Sequence, residues 1–126
     1  MKAWIWQWGP AVLVMAVIFI ASAIPGSGLP AFGAWDLIVK KGGHMFGYAL
    51  LASAYLHALN KGKDVTRRQF MGALCLAFLY AITDEFHQWF TPGRTPSVYD
   101  VLIDTFGAVF GLGTWVWMEK TVVSRQ

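Results

Sequence analysis

Four of the chain's seven acidic residues fall between positions 84 and 104, in DEFHQWFTPGRTPSVYDVLID: Asp84, Glu85, Asp100 and Asp104. His87 and Arg94 stand among them, and Lys41 and His44 occupy an earlier segment. A carboxylate beside an imidazole can pass a proton as a general acid/base pair, and a guanidinium can clamp a phosphate or carboxylate through two parallel hydrogen bonds. The candidates for chemistry are therefore Glu85, Asp84, Asp104 and His44, and the candidates for holding a ligand are Lys41, His44, Gln88, Arg94 and Asp100. The sequence points to no cofactor. No H-x-x-x-H or H-E-x-x-H spacing marks a metal, although His44, Glu85 and Asp104 could supply three ligands from three segments. No G-x-S-x-G turn or glycine-rich phosphate loop is present, and Cys75 lies in an apolar run.

The elements that must position these groups are unusually apolar. Hydrophobic residues make up 56% of the 126 residues and charged residues only 13%, against about 25% charged in an ordinary soluble domain. Mean hydropathy is +0.48. So few charges cannot cover the surface of a small soluble domain. A net charge of +3 without interleaved basic and aromatic residues excludes nucleic acid as a partner. The composition predicts a single all-α domain over 1–126, embedded in a membrane.

A helix needs roughly 20 apolar residues to cross a hydrocarbon core of about 30 Å. Apolar runs predict four such helices, at about 4–24, 37–59, 70–90 and 98–118. The first stops at IPGSGLP, where Pro25, Gly26, Gly28 and Pro30 break it. Asp36 is placed to cap the second, NKGKDVTRRQ separates the second from the third, and short connections make neighbours antiparallel. Lys2, Lys61, Lys63, Arg67, Arg68, Lys120 and Arg125 fall on one side, and Lys40, Lys41 and Arg94 on the other. The excess of cations predicts that both termini are cytoplasmic, in a multi-pass membrane protein. Trp4, Trp6, Trp8, Trp115 and Trp117 then mark the inner interface, and Trp35 and Trp89 the outer one. Lys2, the first apolar run and ASA at 21–23 also resemble a signal peptide, but the run is longer than the usual 7–15 residues and Pro25 adjoins the cut.

This registration gathers the polar residues at one height. Asp84 lies about six residues, or roughly 9 Å, below the outer end of its helix. Asp104 lies at a similar depth in the fourth helix, and His44 in the second. Tyr80, Asp84 and Gln88 share a face by i, i+4, i+8 spacing, as do Asp100, Asp104, Gly107 and Gly111 by i, i+4, i+7, i+11. His44, Tyr48 and Tyr55 line one side of the second helix. Plainer roles account for several of these: Ser97 and Asp100 as a capping box, Gly107 and Gly111 as packing surface, the tyrosines as core, His87 at the headgroups, and Lys40 and Lys41 as interfacial anchors. Asp84, Glu85 and Asp104 would cost about 2.5–3.5 kcal/mol each in the apolar layer. A structural ion-pair network is one account of them and a functional site is the other. No capping or packing pattern accounts for Glu85.

KGGHMFGY at 41–48, YAITDEFHQWFTPGR at 80–94 and SVYDVLIDTFGAVFG at 97–111 resemble the VanZ-like family of small bacterial membrane proteins. Lys41, His44, Asp84, Glu85, Gln88, Pro92, Arg94, Ser97, Asp100, Asp104, Gly107 and Gly111 occupy the motif positions, and SAIP at 22–25 is similar to the serine-rich end of that family's first helix. Two departures stand in the second helix. Gly47 sits where the family is often acidic, and the aromatic after the histidine is displaced to Phe46. The resemblance implies a four-helix envelope protein, its founding member being linked to resistance against teicoplanin-type glycopeptide antibiotics. The expected partners are membrane lipids together with a lipoglycopeptide or a lipid-linked cell-wall intermediate. A membrane hydrolase or transferase acting on a lipid phosphate or lipid-linked glycan is the alternative. A small transporter or accessory subunit is the third reading, and four short helices would then have to form an oligomer.

Overall fold

The computed structural model describes residues 2–23, 36–61, 63–94 and 96–125, without the side chains of 36, 37 and 121–125. Four helices and no strand make up the described chain: α1 (Lys2–Ala23), α2 (Asp36–Asn60), α3 (Arg67–Trp89) and α4 (Val98–Arg125). The proline-glycine break after α1, Trp35 and the proposed Asp36 cap lie outside the described residues and side chains.

Two boundaries differ from the sequence expectation. α3 begins at Arg67 rather than near 70, because Thr66 and Gln69 form a capping box: the Gln69 amide donates to Thr66 Oγ1, and the Thr66 amide donates to Gln69 Oε1. Two otherwise orphaned N–H groups are satisfied reciprocally, and the helix starts one turn earlier. Replacing Thr66 with alanine should cost about 1 kcal/mol, read as a lower unfolding midpoint in detergent. α4 continues past Met118 to Arg125. A hydropathy window loses a helix once it becomes polar, whereas the backbone hydrogen bonds do not.

The helices run up, down, up and down. Gln7 donates to the Ala58 carbonyl, which sets α1 antiparallel to α2. The Tyr80 hydroxyl donates to the Met15 carbonyl at 2.6 Å, and Gln88 donates to Ser22, which sets α3 parallel to α1. α1 is thus built into the body along its length, Ser22 included. α2 and α4 run parallel and approach most closely. A Cβ on Gly107 would lie 2.9 Å from Met45 Cα, and one on Gly111 would lie 2.7 Å from Ala49 Cα. Only glycine permits that approach.

Small residues fill the centre. Ala73, Ala77 and Ala81 form the buried stripe of α3, facing Tyr48, Leu51, Ala52 and Leu56 of α2 and Ala108 and Leu112 of α4. Leu13, Ile20, Phe46, Met71, Phe86, Phe106 and Phe110 face outward, while Ser22, Asp84, Glu85, Gln88 and Asp104 are buried. That inversion of inside and outside suits a chain solvated by lipid. Two helices, α1 and the 98–120 part of α4, are long and apolar enough to cross a membrane. α2 and α3 fall short of that mark because they carry polar residues, among them His44, Asp84 and Glu85.

Candidate functional site

The alanine stripe of α3 turns polar in its last two turns, where Asp84, Glu85 and Gln88 continue the same buried face. Facing it, α2 presents His44 one turn before Tyr48, and α4 presents Asp104 one turn before Ala108. All three helices bring these groups to the end at which α1 and α3 finish and α2 and α4 begin.

His44, Asp84 and Asp104 converge. One donor atom from each lies within 4.8 Å of the other two, and His44 Nδ1 stands 3.4 Å from Asp104 Oδ1. Asp104 is 1% exposed and Asp84 4%. Neither Asp104 oxygen has a hydrogen-bond partner, nor does Asp84 Oδ2. The Tyr48 hydroxyl, fully buried, faces Asp84 and is likewise without a hydrogen-bond partner. Buried polar atoms are nearly always satisfied. Four orphans in one place are more than packing explains.

The remaining sequence candidates surround this triad without joining it. Lys41 pairs with Asp100 at a half-exposed rim, so its ammonium is spent on an ion pair between α2 and α4. The expected cap at Ser97 and Asp100 is present, with Asp100 in the first turn of α4. The Asp100 amide donates to Ser97 Oγ at 3.4 Å, and the Ser97 amide donates to Glu85 Oε2 at 3.2 Å. Glu85 therefore does have a capping role, supplied from a different helix, and Asp84 takes the place beside His44 and Asp104 that the sequence reading gave to Glu85. Gln88 Nε2 donates to Ser22 Oγ at 3.3 Å, and Arg94 Nη2 donates to the Ala21 carbonyl at 2.7 Å, tying the site to α1. His87 leans on Phe19, ring centroids 4.5 Å apart.

A cavity of about 310 Å³ opens between α1 and α2 beside the triad. Val17, Ile18, Ala21, Val39, Gly43 and Gly47 line it, together with Lys40, His44, Tyr48 and Arg94. Gly47, the departure noted above, leaves space where a longer side chain would enter. The cavity shares His44 and Tyr48 with the triad, so a bound molecule would touch both.

Sequence reasoning did not single out Ser22 or Ser97 as supports of the site. Ser22 had a signal only as a serine near the end of α1. Tyr48 was read as core, although its i, i+4 spacing from His44 already placed it on the site face.

Among the described residues the fold is helical, and two helices long and apolar enough to cross a membrane are consistent with the class of helical membrane proteins. The chain belongs to the VanZ/LLP1 family, whose model matches residues 7–119. No curated protein and no solved structure matches it significantly.

Proposed function

We propose that the chain is a four-span bundle of the bacterial cytoplasmic membrane whose outer end receives an amphiphilic anion. The class of ligand is a lipoglycopeptide of the teicoplanin type or a lipid-linked cell-wall intermediate. The observation that carries this reading is the 310 Å³ cavity, a mainly apolar space that suits a hydrocarbon chain, with Arg94, Lys40 and His44 among its lining residues. Arginine and lysine beside such a space suit a phosphate or carboxylate headgroup. The antiparallel packing supports the orientation. It sets the ends of α1 and α2 that carry Lys2 and Lys61 together, opposite the polar site, and the cation excess there favours cytoplasmic termini.

The unpartnered carboxylates of Asp84 and Asp104 beside His44 favour a second reading. In a hydrolase or transferase acting on a lipid phosphate or lipid-linked glycan, they would relay protons while Arg94 held the anion.

The test compares binding of a fluorescent teicoplanin-type drug to cells with and without the protein, with the C-terminal orientation checked by a fused reporter. A difference in cell-bound drug with a cytoplasmic reporter is expected. Identical binding, or an extracytoplasmic C-terminus, contradicts the first reading. Altered envelope lipids on deletion, with drug binding unchanged, would favour the second.

A further inference from the structure

We infer that His44, Asp84 and Asp104 form a binding site for one divalent metal ion of the zinc or manganese class. An acidic pair alone would not carry this, and three observations beyond it do. The third donor is an imidazole from another helix. The His44 Nδ1–Asp104 Oδ1 separation is 3.4 Å, and two donors about 2.1 Å from a shared ion at a tetrahedral angle lie roughly 3.4 Å apart. One donor atom of Asp84 lies within 4.8 Å of both, close enough to complete the set once the carboxylates draw in around an ion. Finally, the fully buried Tyr48 hydroxyl lies beside Asp84 but has no hydrogen-bond partner within 3.5 Å. A water on the ion would give it one.

Charge supports the same assignment. Two carboxylates in an apolar layer are costly, and a divalent cation held with a neutral imidazole makes the group electrically neutral. One nitrogen and two oxygens from three helices suit an ion of intermediate hardness, and three protein ligands leave a coordination position open. His44 and Tyr48 also line the cavity, so a molecule bound there would lie beside the site. Ser22, beside Asp84 and bonded to Gln88, would orient the carboxylate from behind. The site deepens the anion-binding reading and rests on it only for what occupies the open position.

The full-length protein, purified in detergent without a histidine tag, would be dialysed against buffered zinc or manganese and its bound metal counted by mass spectrometry. About one ion per chain is expected. His44→Gln and Asp104→Asn should each weaken binding by on the order of tenfold or more, whereas Asp64→Asn, in the α2–α3 connection, should not. X-ray absorption of the zinc-loaded wild type needs no variant and should show a single imidazole among oxygen donors. A folded wild type that takes up neither metal stoichiometrically, variants that bind as well as wild type, or a spectrum with no imidazole or with two would overturn the inference. Neither measurement uses lipid or drug. A protein that binds no metal yet alters drug binding would therefore defeat this inference and leave the anion-binding reading in place.

Discussion

Gly111→Ala should destabilise the protein by about 1–3 kcal/mol or more, and Gly107→Ala should do the same. The added Cβ would lie 2.7 Å from Ala49 Cα in the first case and 2.9 Å from Met45 Cα in the second. Both neighbours are helix backbone, which cannot rotate away as a side-chain tip can, so α2 and α4 must part. Alanine in place of glycine favours a helix by at most about 1 kcal/mol, which does not offset the clash. Gly113→Ala is the control, since a Cβ there meets nothing within 4 Å and only the propensity gain remains. Unfolding in a denaturing-detergent titration, together with abundance in the membrane, would check the order Gly113→Ala ≥ wild type > Gly111→Ala. The consequence reaches the site. Gly107 lies one turn from Asp104, so separating α2 from α4 also draws His44 away from Asp104. Wild-type stability in Gly111→Ala would mean that the helices are not in backbone contact.

Asp104→Asn should do the opposite. In metal-free buffer the variant should be more stable than wild type by about 1–2 kcal/mol, because a buried carboxylate with no hydrogen-bond partner is replaced by a neutral group. The lost pairing with His44 is small by comparison. Its 3.4 Å separation is long and the imidazole is 27% exposed, and partly exposed pairs contribute about 0–1 kcal/mol. The same variant should lose function. A residue whose removal strengthens the fold but abolishes activity is held in place for its chemistry. Thermal unfolding with and without a chelator would give the stability term, and drug susceptibility at matched abundance the functional one.

Much of this arrangement was legible in the sequence, and the residues show why. Apolar run lengths placed four helices, with every boundary within about three residues except the end of α4, which runs on to Arg125, since length and breakers are local properties. The i, i+4 spacing put Asp84 on the face of Tyr80, and Asp104 on the face of Gly107 and Gly111, and both faces do point inward. The choice between Asp84 and Glu85 was not legible. The two are adjacent, both are buried, and only the positions of α2 and α4 around α3 decide that one meets His44 and the other caps Ser97. The Arg94–Ala21 contact joins segments 73 residues apart, which no local pattern encodes. The Thr66 capping box was visible as T-x-x-Q, but it lay within a charged stretch read as loop. The cavity is lined by residues of α1, α2 and the segment after α3, a tertiary property with no signature beyond Gly43 and Gly47.

The central claim is that the buried triad is the working part of the protein rather than an ion-pair network that holds it together. Teicoplanin susceptibility of a deletion strain carrying wild type or Asp104→Asn, with membrane levels matched by blot, tests this most directly. The account predicts that wild type protects and Asp104→Asn, at equal or greater abundance, does not. Equal protection by both would contradict it.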